Sequence, residues 1–148
     1  MKNKILYLLD KTLNIKDKVP IITDKIECTS FTVHLREDGI MHYHVKAVGE
    51  FGINDLKEGM YAANEIGRGK KFYNIVTFED FITVSAEARE FAASEESNQY
   101  TIADAFVVKN NALKLVGNFY LTFNKPKVPS KLFTDEDKAI AWLYSLQK

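Results

Sequence analysis

The sequence predicts a single α/β domain whose mixed, mostly parallel sheet opens with an antiparallel hairpin and carries four helices. Alternation of apolar and polar residues at Phe31, Val33 and Leu35, and again at Met41, Tyr43 and Val45, marks two adjoining half-buried strands. Beyond them, helical periods alternate with β-rich runs, an order that calls for right-handed crossovers and parallel pairing. The chain has 148 residues, 46% hydrophobic and 27% charged, which is enough for one substantial core and too apolar for a disordered chain.

Residues 1–24 are Lys-rich and irregular, and Pro20 breaks any long helix, although Ile5, Leu8 and Leu9 share helical spacing. They are expected to form an N-terminal extension to a domain over 25–148. Within HLREDGIMHYH, residues 34–44, the loop Glu37-Asp38-Gly39 decides the hairpin register. A two-residue Asp-Gly turn would pair Leu35 with His42 and mix apolar with polar side chains on both faces. A three-residue loop with Gly39 in the left-handed conformation pairs Leu35 with Met41 and Val33 with Tyr43, giving one consistent apolar face. That register is the expected one, and it sets His34 opposite His42 with His44 on the same polar side.

Further along, Asn54 or Asp55 is expected to cap a helix marked by Ile53, Leu56, Met60 and Ala63, which Gly67 and Gly69 end. The nearly uncharged run 72–78, FYNIVTF, reads as a central strand. Ser85 caps SAEAREFAASEE, and 102–108, IADAFVV, reads as a second buried strand with small residues where a helix can press close. Leu113, Val116, Gly117, Tyr120 and Leu121 line a third helix stopped by Asn124 and Pro126. After a short strand at 131–133, Thr134 is expected to cap a final helix through Leu146.

Charge and composition exclude several classes. Twenty Lys plus Arg balance twenty Asp plus Glu, so the basic excess of a nucleic-acid binder is missing. A lone Cys28 forms no internal disulfide or Cys-rich zinc site and suits a reducing compartment. The apolar run Ile5–Leu9 is short of the roughly 7–15 residues of a signal peptide. It is shorter still than the about 20 of a membrane span, so the expected location is the cytoplasm. The stretch GRGK at 67–70 lacks the spacing of a phosphate-binding loop and precedes a strand.

The segments SAEAREFAASEESNQYTIADAFVV and LVGNFYLTFNKPKVPSKLFTDEDKAIAWL, above all GNFYLTFNKP and LFTDEDKAIAWL, resemble the uncharacterised bacterial STAS-like family. Its members are similar in fold to the sporulation anti-sigma-factor antagonist, and the fold is also called SpoIIAA-like. The resemblance covers roughly residues 28–147 and implies that fold. It implies little about activity. In anti-sigma-factor antagonists a strand ends in Asp followed at once by a phosphorylatable Ser and a Gly. In this chain Asp80 is followed by Phe81, and the first Ser is Ser85 without a Gly, so partner switching by phosphorylation is not supported. Ser85 is the one candidate phosphorylation position, and capping is the expected role.

Four candidate sites remain. His34, His42 and His44 on one strand face are candidate metal ligands, yet ligands on one flat hairpin point parallel where a tetrahedral site wants convergence, and a polar surface is expected. Glu87, Glu90, Glu95 and Glu96 on an Ala-rich helix read as its solvated face rather than an acid–base pair. Asp104 interrupts an otherwise apolar strand, and the sequence leaves open whether it pairs with a Lys, faces outward or lines a cavity. Phe119, Tyr120 and Phe123 leave both sides of one helix end apolar and form a candidate interaction surface.

The leading expectation is therefore a non-enzymatic interaction or regulatory module, homodimeric or meeting another protein, without a cofactor. A carrier or sensor of a small apolar ligand or lipid is the alternative, and it requires a cavity between the sheet and the helices near Phe106, Phe119 and Phe123. A metal-binding protein built on the histidines is the third reading.

Overall fold

The computed structural model describes residues 24–46, 49–79 and 82–147. The expected N-terminal extension thus lies, but for Asp24, outside the described residues, as do Asp80 and Phe81. The main sheet has the order β1-β2-β3-β5-β7-β8. Its strands are β1 (Lys25–Glu27), β2 (Phe31–Leu35), β3 (Met41–Val45), β5 (Phe72–Phe78), β7 (Thr101–Val107) and β8 (Ser130–Phe133). The first three run antiparallel, and every later pairing is parallel. A separate parallel pair joins β4 (Glu50–Phe51) to β6 (Thr83–Val84).

The hairpin adopts the register expected from its apolar face: Leu35 pairs with Met41, Val33 with Tyr43 and His34 with His42. Gly39 takes φ 83°, and the Arg36 amide donates to the Ile40 carbonyl at 2.9 Å, closing the three-residue loop. Asp38 ties this loop to the last helix by accepting hydrogen bonds from Arg36 and from the Tyr144 hydroxyl. Partial burial works against its ionisation, but the bonds from Arg36, Tyr144 and the Ile40 amide outweigh it and hold the carboxyl at about 2.

Four helices join the strands: α1 (Ile53–Gly67), α2 (Ala86–Ala93), α3 (Asn111–Phe119) and α4 (Glu136–Ser145). Two caps differ from expectation. Gly52 stands at the N-cap of α1, and Asp55 sits in its first turn, accepting from the Gly52 amide at 2.8 Å. Asp135, rather than Thr134, caps α4, because its carboxylate reaches the free amides of Asp137 and Lys138 at 2.8 and 3.3 Å. Helix α2 ends at Ala93, earlier than its Ala/Glu composition suggests. There the Asn98 side chain takes up the Ala92 and Ser94 carbonyls, each at 2.8 Å. Helix α3 runs on into a π-helical turn, Tyr120–Asn124, which closes with Lys125 at φ 52°.

The pleat divides the side chains between two layers. On one side Met41, Tyr43, Val45, Val76, Phe106 and Leu132 meet α1, α2 and α3. On the other, Ile75, Ala103, Ala105 and Val107 meet Ala139 and Leu143 of α4. The small Ala103 and Ala105 let α4 lie close, as their occurrence in a strand suggests, and Leu143 is fully buried there. The same pleat puts His34, His42 and His44 on the α4 side of the sheet.

Candidate functional site

The layer beneath α1, α2 and α3 is not filled. Strands β3, β5 and β7 send Tyr43, Val76 and Phe106 toward helix faces made of small residues: Gly59 and Ala63 on α1, Ala88 and Ala92 on α2, Gly117 on α3. Short side chains opposite a sheet either draw the helix in or leave space. Gly117 and Gly59 do the first, since a Cβ would come within 2.8 Å of Leu132 at the one and 3.1 Å of Phe31 at the other. Around α1 and α2 space remains, and a cavity of about 190 Å³ results. Tyr43, Val76 and Phe106 keep part of their surface accessible in spite of standing in the middle of the sheet.

One end of this apolar chamber is polar. Asp104 on β7 and Asn74 on β5 are paired across the strands and point into it, 8% and 4% exposed. The Asn74 amide group donates to Asp104 Oδ1 at 2.9 Å and to Thr101 Oγ1 at 3.1 Å. Both of its hydrogens are then used, and Asn74 Oδ1 is buried without a partner among the described residues. Burial pushes the Asp104 carboxyl up to about 6, although the bond from Asn74 pulls the other way. Burial, and then the Asp104 charge, also pushes the hydroxyls of Tyr43 and Tyr120 above the usual tyrosine range.

Asp104, left open in sequence, therefore lines a cavity. Tyr120 turns inward and joins the lining at 7% exposure, so it does not share a surface with its neighbours. Phe119 and Phe123 stay outside, 46% and 67% exposed, with ring centroids 4.7 Å apart. The chamber thus reaches Phe106 but neither of these two. Arg89 lies between the regions, its guanidinium 5.2 Å from the Phe119 ring and its Nη1 donating to the Val84 carbonyl at 2.6 Å.

Two of the three histidines, His42 and His44, meet around a hydroxyl, while His34 stands opposite His42 in the strand pairing. His42 Nε2 and His44 Nδ1 lie 2.7 and 2.8 Å from Thr77 Oγ1. The hydroxyl can donate to one ring and accept from the other, or accept from both, according to the tautomers of the two rings. Burial lowers the His42 pKa; Glu136 opposes this, and His44, Arg36 and His34 add to the lowering. Among the described residues no group of three or more His, Cys, Asp or Glu is placed to hold a metal ion. Ser85 Oγ accepts from the Ala88 amide at 3.1 Å, the capping geometry. Burial and the nearby Glu58 push the Cys28 thiol up to about 12, away from nucleophilic character.

Asn74 and Thr101 were not singled out in the sequence. The available signal was the lone Asn inside FYNIVTF, which falls opposite Asp104 once the two strands are registered.

Fold and site define an α/β domain of SpoIIAA-like fold with a chamber between its sheet and three helices. The chain belongs to the family described as a domain of unknown function, DUF7793, whose model matches residues 33–147. A solved structure of an uncharacterized protein from the DUF3478 family with a SpoIIAA-like fold, from Shewanella loihica PV-4, is similar over 80% of this chain and 98% of its own. Its identity is 13% and the TM-score 0.51, a likeness of fold. Among curated proteins, none matches. No helix of the described residues is long and apolar enough to cross a membrane.

Proposed function

We propose that this protein is a non-enzymatic binding module that takes up a small, largely apolar ligand between its sheet and helices α1–α3. The observation that carries this reading is the cavity of about 190 Å³, in a layer where a pure interaction module calls for a filled core. An apolar protein cavity of about 150 Å³ accommodates benzene. The chamber therefore suits a ring with a short substituent better than a long lipid. The fold supports a regulatory or carrier role, and residues 25–148 are proposed to form the folded unit with 1–24 as an appendage.

The test is a thermal shift with propylbenzene. Occupancy of the chamber raises Tm, and above the Kd the rise grows with the logarithm of the free ligand concentration. Val76→Phe, which places a ring in the same space from the middle of the sheet, is expected to keep the fold and abolish the shift. No shift with wild-type protein at saturating propylbenzene rules the reading out.

A second reading concerns self-association, favoured by the outer side of α3. Leu115, Phe119 and Phe123 recur at helical spacing and are 73%, 46% and 67% exposed. A second copy of the chain is the proposed partner, since two-fold dimers are the commonest assemblies. Sedimentation velocity at micromolar concentration should give a dimer that Phe123→Ser converts to monomer; a wild-type monomer at all concentrations would end this idea.

A further inference from the structure

The polar end of the chamber is built to accept hydrogen bonds. Asn74 has spent both amide hydrogens, leaving its carbonyl oxygen buried without a partner among the described residues. Asp104, which lines the chamber, receives a side-chain hydrogen bond on Oδ1 from Asn74. A carboxylate buried among apolar and aromatic side chains, as Asp104 is, is costly unless a cation or a strong donor meets it. Of the lining side chains only Arg89 is cationic, and its Nη1 is directed to the Val84 carbonyl, so a cation that enters the chamber would meet the carboxylate.

We propose that the chamber selects a small apolar primary amine, its ammonium held by Asp104 and its hydrocarbon part against Tyr43, Val76 and Phe106. This rests on the reading of the chamber as a ligand site and adds the ligand's chemical class. An ammonium brings donors and a positive charge to the Asp104 carboxylate. Charge-assisted bonds of this kind are roughly twice as strong as neutral ones, and more so in a dry site. The remaining charged and titratable groups lining the chamber are Tyr43 from β3, Asp55 and Arg89 from α1 and α2, and Tyr100 and Tyr120. Asp55 is already engaged by the Ser30 hydroxyl and the Gly52 amide. Arg89 donates to the Val84 carbonyl, and the tyrosine hydroxyls Tyr43 and Tyr120 are held in the neutral form by burial. Strand β8 presents the uncharged Ser130 opposite Asp104.

The experiment compares 2-phenylethylamine with propylbenzene, molecules of nearly equal shape, by titration followed in NMR spectra of the full chain. Wild-type protein at pH 8 is expected to prefer the amine by at least about tenfold. Because the empty-site carboxyl titrates at about 6, the preference should fall by about tenfold at pH 5, where Asp104 is protonated. In Asp104→Asn the ratio of the two affinities should approach one at both pH values. Equal affinities, or preference for propylbenzene, in wild-type protein at pH 8 overturns the amine while leaving the apolar ligand site in place. Binding of neither molecule overturns both. Should Asp104→Asn fail to fold, the wild-type ratio and its change with pH decide the matter alone.

Discussion

Asp104→Asn is expected to stabilise the ligand-free protein by about 3 kcal/mol at pH 8 and by only about 1 kcal/mol at pH 4.5. The folded-state pKa, about 6, lies above the ordinary aspartate value of 3.8, so the folded protein binds the proton more tightly than the unfolded chain. As pH rises from 3.8, the unfolded state loses that proton first and gains in relative stability. The loss grows until pH passes 6, and from there the full span of about two pH units, at roughly 1.4 kcal/mol each, is charged against folding. Asparagine cannot ionise and keeps an acceptor for the Asn74 amide, so it removes the penalty without removing the bond. Urea denaturation at the two pH values measures it. A gain independent of pH would mean that the carboxyl does not titrate in this window. A residue that holds a ligand at the expense of stability is a common arrangement at binding sites.

The two sides of the sheet should respond unequally to the same truncation. Leu143→Ala is expected to cost about 4 kcal/mol, and Leu113→Ala about 2 kcal/mol. Leu143 is fully buried among Ile75, Ala103, Ala105 and Ala139, where helix and sheet lie close and nothing is free to collapse into the gap. Leu113 is 4% exposed and borders the chamber, so its loss enlarges an existing space and forfeits fewer contacts. Transfer free energy is the same for both; the difference is the void left behind. Equal costs, or the reverse order, measured by denaturant midpoint would argue that the chamber collapses around the ligand-free protein.

The hairpin was the most legible part of the sequence, because a slip by one residue would have turned Met41 and Tyr43 outward, and only one loop length avoids that. The strands 72–78 and 101–107 were legible for a similar reason: central parallel strands are apolar on both faces. Strand β1 was missed, with only Ile26 buried between Lys25 and Glu27, too short for alternation to register. So was the β4–β6 pair, two residues on each side. Caps went astray by one to three positions where several side chains of capping type stand in a row, as at Thr134 and Asp135, and geometry alone selects between them.

The chamber itself was not legible. It depends on which short side chains of three helices face which long ones of the sheet, and periodicity says where an apolar side chain points without saying whether the facing volumes sum to a full core. Asp104 was visible as an anomaly, but its meaning came only when β5 was laid beside β7. The histidines show the opposite case. Their proximity followed from the register, whereas their partner, Thr77, lay on a strand whose neighbour could not be known in advance.

An empty chamber also changes how the protein answers to compression. Unfolding admits solvent to internal voids and so shrinks the system, by an amount that scales with the space eliminated. The layer of α1–α3, with about 190 Å³ between helices and sheet, should yield to hydrostatic load more than the close-packed α4 layer. Whatever occupies the chamber removes that volume difference, so the occupied and empty forms are two materials of different compressibility built on one backbone.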